Sequence, residues 1–267
     1  MVREQRVRGL RAVGKIRLVL AALGASLVAS LPVAGAATAD RVVAAEDVAR
    51  VERKPSWVLA ADDKKLPILV YPPARGEGER PLVLFLHGMC DVPQNECPEL
   101  VAGATSDRFL ACPTANLACT GGGAIWSGDP KLRTANVDDA VARTRAAFPD
   151  RVAQGGGTLF GFSLGSFVAL DVAQRQKGTW KSLVLVGAKI EPDAAKLKEA
   201  GIESVLLGAG DGDMMKQHMI GVAKRLAKQG IRVRFQGMGK VGHWFSPDME
   251  EWLREGMAWL DEKREGA

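Results

Sequence analysis

A doubly wound α/β fold, a mainly parallel sheet with helices on both faces, is predicted by three observations. Strand-like and helix-like patterns alternate from Trp57 to the C-terminus. Two of the strand-like runs, Pro81 to Leu86 and Thr158 to Phe162, are continuously apolar, as expected for strands covered on both faces. The second run breaks into Gly161-Phe162-Ser163-Leu164-Gly165 and continues with helical spacing, which reads as a sharp strand-to-helix turn.

Taken in order, Ser56 to Ala61 and Pro67 to Tyr71 read as an antiparallel edge pair around the polar turn Asp62-Asp63-Lys64-Lys65. Pro81 to Leu86 is a covered strand that runs into His87-Gly88. Arg108 to Ala111 is a shorter strand, followed by an irregular loop through Gly121-Gly122-Gly123 and Trp126-Ser127-Gly128. Ala135 to Phe148 has helical spacing, with Val137, Ala140, Val141 and Ala147 on one face. The second half alternates more cleanly: strand to Phe162, helix Leu164 to Gln176, strand Ser182 to Val186, helix Ala194 to Ala200, strand Ser204 to Leu207, helix Met214 to Gln229 and strand Ile231 to Phe235. A last helix from Ser246 to Glu262 opens on Ser246-Pro247-Asp248-Met249-Glu250, an N-cap residue, a proline and an acidic first turn.

The first 39 residues read as an export signal: a basic head with Arg3, Arg6, Arg8, Arg11, Lys15 and Arg17, an apolar stretch from Leu18 to Pro32, then small residues. Cleavage after Ala36 or after Ala39 suits the Ala-x-Ala pattern. The other reading is an uncleaved anchor, because the uncharged stretch from Leu18 to Ala39 is long enough to span a bilayer. Residues 40–267 then form a single domain, large enough for one sizeable core. The leader carries six basic residues and one acidic, a net of +5 that equals the formal charge of the whole chain. The remainder is therefore near neutral, and no basic stripe interleaved with aromatics marks a nucleic-acid surface.

Cys90, Cys97, Cys112 and Cys119 form two pairs with the same spacing, which in an exported protein reads as two disulfides. Three connectivities are open, of which Cys90 to Cys97 with Cys112 to Cys119 needs the least folding back. The spacing does not match the paired Cys-x-x-Cys pattern of a zinc site. No phosphate loop, dinucleotide fingerprint or metal-binding His cluster is evident, so neither cofactor nor metal is expected.

In a parallel sheet, reactive groups gather beyond the carboxyl ends of the strands. Ser163 lies there, as does Asp211 in Gly208-Ala209-Gly210-Asp211-Gly212-Asp213, and His243 follows the last strand in Val241-Gly242-His243-Trp244-Phe245. A serine hydroxyl is a weak nucleophile until a base takes its proton and donors stabilise the oxyanion it creates. The order serine, acid, histidine differs from the two common protease orders.

Over residues 56 to 262 the chain resembles the α/β-hydrolase family, through Leu84-Phe85-Leu86-His87-Gly88, Gly161-Phe162-Ser163-Leu164-Gly165, Gly208-Ala209-Gly210-Asp211 and Gly242-His243. The resemblance implies Ser163 as nucleophile, His243 as general base and acid, and Asp211 as the carboxylate that fixes the imidazole, with Asp213 as alternative acid. It also implies an oxyanion hole from the backbone N–H groups of Leu164 and Met89. A Cys90 to Cys97 disulfide would then brace the oxyanion loop. The family's run of three glycines after the histidine is replaced here by Met89 and Cys90. Only seventeen residues separate Val186 from Ser204, too few for an inserted cap domain.

Around this site, His87 is expected to shape the oxyanion turn, and Trp126 to line the pocket or to anchor the core. Trp244 is placed to wall the site, while Trp252 and Trp259 fall seven apart on the last helix and read as core. His218 reads as a solvated helix residue and the Met214-Met215 pair as helix packing. The implied function is an exported, secreted or periplasmic serine hydrolase acting on a carboxylic ester through an acyl-enzyme. The alternatives are a serine peptidase or amidase with the same residues, and a catalytically silent binding module. The substrate would be a small-molecule, polymeric or peptide acyl compound, with no nucleic acid and no stable membrane association after signal cleavage.

Overall fold

In the computed structural model, residues 57–59 and 66–262 are described. The stretch read as an export signal, the residues up to 56 and the turn expected at Asp62-Asp63-Lys64-Lys65 lie outside the described residues. Among the described residues ten strands and seven helices follow one another, beginning with the antiparallel pair β1 (Trp57–Leu59) and β2 (Ile68–Tyr71). Then come β3 (Leu82–Leu86), α1 (Pro93–Glu96), a 3-10 turn (Cys97–Leu100), α2 (Val101–Ala104), β4 (Phe109–Pro113) and a hairpin of β5 (Leu117–Ala118) and β6 (Ala124–Ile125). The second half runs α3 (Pro130–Ala147), β7 (Gly157–Phe162), α4 (Leu164–Ala173), β8 (Trp180–Val186), α5 (Ala194–Ala200), β9 (Ser204–Ala209), α6 (Lys216–Lys228), β10 (Arg232–Gly237) and α7 (Met249–Asp261).

Eight strands form one sheet in the order β1-β2-β4-β3-β7-β8-β9-β10. The pairs β1·β2 and β2·β4 are antiparallel; every pair from β4 to β10 is parallel. Strand side chains alternate between faces. On one face Leu82, Leu84, Leu86, Leu159, Leu183, Leu185, Val205 and Leu207 pack with α3, α4, α5 and α6. On the other, Val83, Phe85, Phe160, Val184 and Leu206 pack with the α1–α2 segment and α7. Continuous apolar runs are needed because both faces are dry.

α3 starts five residues earlier than its periodicity predicts. Asp129 accepts from Leu132 N–H at 2.8 Å and Pro130 occupies the first helical position, a start signal that precedes the apolar stripe. The loop expected to be irregular contains the β5·β6 hairpin, and residues 93–104, unassigned from sequence, fold into short helical turns. α7 is locked to the sheet by reciprocal bonds: Gln236 Nε2 donates to Trp252 O at 3.0 Å, and Trp252 Nε1 to Gln236 O at 3.3 Å. Trp252 sits over Gly208, where an added Cβ would come within 2.6 Å of the indole.

Candidate active site

β7 delivers Ser163 to the turn before α4 with φ 51° and ψ −117°, a left-handed conformation that costs a non-glycine residue about 1–3 kcal/mol. The two flanking glycines make room for it. A Cβ on Gly161 would lie 2.3 Å from Gly165 O, and one on Gly165 would lie 1.9 Å from Leu86 O. Ser163 N–H donates to Val186 O at 2.9 Å, pinning the turn to β8. Below it the buried Ser166 hydroxyl donates to Gly161 O at 2.7 Å and accepts from Val186 N–H at 3.0 Å.

The Ser163 hydroxyl donates to His243 Nε2 at 2.9 Å, and His243 Nδ1–H donates to Asp213 Oδ2 at 2.9 Å. The carboxylate on the imidazole is therefore Asp213, which corrects the expectation of Asp211. Asp211 ion-pairs with Lys216 at 2.8 Å, and its side chain is 49% exposed against 3% for Asp213. The physical reason lies in how the β9 and β10 loops zip together. Asp211 N–H donates to Gly239 O at 2.8 Å and Gly212 N–H to Val241 O at 2.9 Å, and at Gly210 a Cβ would meet Val241 O at 2.2 Å. This close approach turns Asp213 inward and leaves Asp211 at the rim. The other oxygen of Asp213, Oδ1, accepts from Met215 N–H at 2.8 Å and closes the turn leading to α6, whose N-cap is Met215.

Gly187, directly after β8, is a site residue that sequence reasoning missed. It has φ 63°, and a Cβ there would lie 3.0 Å from His243 Cε1 and 3.1 Å from Asp213 Oδ2. Its signal was a glycine at a strand's carboxyl end, visible but not distinctive. Phe162 supports the imidazole from the sheet side, with ring centroids 5.1 Å apart. Trp244 meets Phe162 edge-on at 5.9 Å and remains half-exposed beside His243.

On the opposite flank, the turn after β3 is held by buried side chains. His87 Nδ1–H donates to Gly88 O at 2.8 Å, and its Nε2 accepts from Ala115 N–H at 3.1 Å. That arrangement needs the neutral ring, and burial lowers the His87 pKa below the ordinary imidazole value. Trp126 is buried: its Nε1–H donates to His87 O at 3.0 Å and its ring stands 5.3 Å from the imidazole. It anchors the turn; it does not line an open pocket. Gly88 N–H donates to both carboxyl oxygens of Glu96, at 3.0 and 3.1 Å. Glu96 is 1% exposed, and burial, with Asp91 alongside, pushes its pKa to about 8 against the opposing pull of the Gly88 N–H. Sequence reasoning missed Glu96, which nothing distinguishes from a solvated loop acid. Met89 follows Gly88 and is exposed; Leu164 opens α4, where the first N–H groups have no intrahelical acceptor.

The disulfides join Cys90 to Cys119 and Cys97 to Cys112, correcting the local pairing. The chain folds back further than the minimal-closure argument assumed. The 3-10 turn that starts at Cys97 packs over the sheet, bringing it to Cys112 on β4. The β5·β6 hairpin lies on the turn after β3, with Ala124 N–H donating to Asp91 O at 2.9 Å and a Gly123 Cβ position only 2.2 Å from Cys90 O. A brace on Cys90 is thus present, but Cys119 supplies it. His218, expected in solvent, donates from Nε2–H to Ile190 O at 2.8 Å and lies 3.4 Å from Glu191. Met215 packs against the core while Met214 is exposed. Among the described residues no cluster of His, Cys, Asp and Glu is arranged to hold a metal ion, and no helix is long and apolar enough to cross a membrane.

The sheet order, its flanking helices and its neighbours define an α/β-hydrolase fold. Among solved structures, the esterase PE8 matches with a TM-score of 0.56 at 21% identity, over 73% of this chain and 99% of its own. A Bacillus cereus carboxylesterase matches with a TM-score of 0.54 at 15% identity, over 73% of this chain and 93% of its own. The Zea mays acyl-protein thioesterase 2 gives 0.54 at 19% identity, over 72% of this chain and 98% of its own. No protein-family model matches the chain, and no curated protein sequence is similar to it.

Proposed function

We propose that this protein is an exported serine hydrolase that cleaves carboxylic esters through an acyl-enzyme on Ser163. The observation that carries the reading is the continuous chain from Ser163 Oγ to His243 to Asp213, each link 2.9 Å. His243 takes the Ser163 proton as the hydroxyl attacks the ester carbonyl, and returns it to the departing alkoxide. Water then attacks the acyl-enzyme by the same route, releasing the acid and restoring Ser163. Asp213 holds the imidazole in the tautomer that leaves Nε2 free to accept, and stabilises the imidazolium as it forms. The N–H groups of Leu164 and Met89 receive the oxyanion, where loss of one donor typically costs about 2.7–4 kcal/mol.

Esterase activity is the reading favoured by the names of the structural neighbours, which include an esterase, a carboxylesterase and a thioesterase. Between β8 and β9 stands the seven-residue α5, with no inserted cap domain among the described residues. Met89, Phe167 and Trp244 are large apolar side chains exposed beside Gly88, one turn beyond Ser163 and next to His243. They favour an apolar acyl chain over a charged one. Two disulfides are compatible with an oxidising compartment outside the cytoplasm.

The test is turnover of p-nitrophenyl esters of increasing chain length beside a peptide p-nitroanilide. Ester hydrolysis that disappears in Ser163→Ala supports the proposal. Anilide cleavage faster than ester cleavage transfers it to a peptidase, and no turnover of either contradicts it.

A further inference from the structure

Gly88 presents its two backbone groups to two buried side chains that take no part in the proton relay. Its N–H is engaged by Glu96, and its C=O by the Nδ1–H of His87. A trans peptide holds its C=O and the next N–H antiparallel. Fixing the Gly88 carbonyl therefore fixes the direction of the Met89 N–H, the proposed oxyanion donor. With the Gly88 N–H already bound to a carboxyl group, Met89 is left as the donor of this turn. Cys90, one residue on, has φ 54° and is tied by its disulfide to the β5·β6 hairpin. The donor is thus clamped on both sides.

We propose that Glu96 is a positioning residue of the oxyanion turn: its buried carboxyl group holds Gly88 N–H so that, with His87 on the carbonyl, the Met89 N–H is aimed at the developing oxyanion. This rests on the acyl-transfer reading given above. A buried carboxyl group with a single backbone donor is an expensive way to satisfy one N–H, and a simple turn would do without it. Its partners explain the choice. Asp91, two residues beyond Met89, acts on Glu96 directly and, with burial, raises its pKa. Asp91 is itself held by Val92 N–H at 2.8 Å and Asn95 Nδ2 at 2.6 Å, and it also acts on His87. Glu96, Asp91 and His87 form one polar network behind the oxyanion turn. Burial and Asp91 disfavour the charge on Glu96, while the bond from Gly88 N–H favours it.

The test compares Glu96→Gln and Glu96→Ala with the wild-type full chain, each assayed with a p-nitrophenyl ester. Active sites are titrated by Ser163 labelling so that kcat refers to folded enzyme. A glutamine keeps an oxygen for Gly88 N–H and offers an amide donor to Asp91, so kcat falls by no more than about threefold. Alanine leaves the N–H without its acceptor, and kcat falls about 10- to 100-fold with KM nearly unchanged, as loss of a transition-state donor requires. Equal kcat per titrated site in all three proteins, whatever their melting temperatures, would overturn the proposal, as would a Glu96→Gln that loses as much kcat as Glu96→Ala. A wild type that neither labels nor turns over contradicts the hydrolase reading itself, and the positioning role falls with it.

Discussion

The two flanks of the site are built by different means. On the β9–β10 side, backbone bonds between adjacent loops, Asp211 to Gly239 and Gly212 to Val241, set the His243–Asp213 pair. On the β3 side, the turn after β3 is held by side chains: Glu96 on Gly88 N–H, the Trp126 bond to His87 O, and the Cys90–Cys119 disulfide. The first flank needs glycines for close approach, at Gly210 and Gly187. The second needs a dry polar network and covalent ties. The comparison teaches that the proton relay is positioned by backbone bonds between the loops that follow two adjacent strands, whereas the turn proposed to hold the oxyanion depends on side chains and a disulfide from residues 96–126, the stretch that runs through β4 to the β5·β6 hairpin.

Variants that separate the two flanks should differ in kind. The largest effect belongs to the relay. Asp213→Asn lowers kcat by about 10⁴-fold, since the imidazole loses the partner that fixes its tautomer, whereas Asp211→Asn stays within a few fold. Steady-state assays of the pair check this, and equal losses would return the acid role to Asp211. Next comes Gly187→Ala, where the new Cβ meets both His243 and Asp213 and the backbone must hold φ 63°. It should cost about 100-fold in kcat with little change in KM, measured on ester substrate.

Breaking the other flank should be milder and should show first in stability. Cys90→Ala with Cys119→Ala removes one loop closure, with an expected loss of about 2–4 kcal/mol in urea unfolding and a smaller loss of kcat. The pH dependence of unfolding carries a definite sign on this flank. Native Glu96 holds its proton to about pH 8 while the unfolded carboxyl group loses it near 4.5, so the unfolded state binds fewer protons between them and stability falls as pH rises. Native His87 stays neutral below the ordinary imidazole pKa of 6.5, so stability falls as pH drops below that value. Melting temperatures recorded across pH for wild type and Glu96→Gln should show the alkaline loss reduced in the variant. The smallest effect is on substrate choice. Trp244→Ser should raise KM for long-chain esters a few fold and leave short-chain esters nearly unchanged, because one half-exposed side chain offers only part of its apolar area.

Most of the fold was legible because its signals are local. Continuous apolar runs identified β3, β7, β8 and β9, and the sharp Gly-x-Ser-x-Gly turn identified the β7–α4 joint. Ser163 was legible because it stands just past the apolar β7, and His243 because it falls in the Gly242-His243 pair of the loop after β10, a strand whose residues are mostly half-buried. The choice between Asp211 and Asp213 was not. Two aspartates two residues apart share one turn, and what separates them is the approach of Gly210 to Val241, a contact between residues 31 apart in sequence. The disulfide pairing failed similarly, because spacing carries no information on how the 87–128 segment folds over the sheet. Glu96 was invisible: burial of an acid in a polar stretch depends on the elements that cover it.

The central claim is that Ser163 is an activated nucleophile, and covalent labelling tests it most directly. Incubation of the folded protein with a fluorophosphonate, followed by peptide mass spectrometry, should place one adduct on Ser163, absent in Ser163→Ala and formed far more slowly in Asp213→Asn. A folded wild type that acquires no adduct at Ser163 would contradict the account.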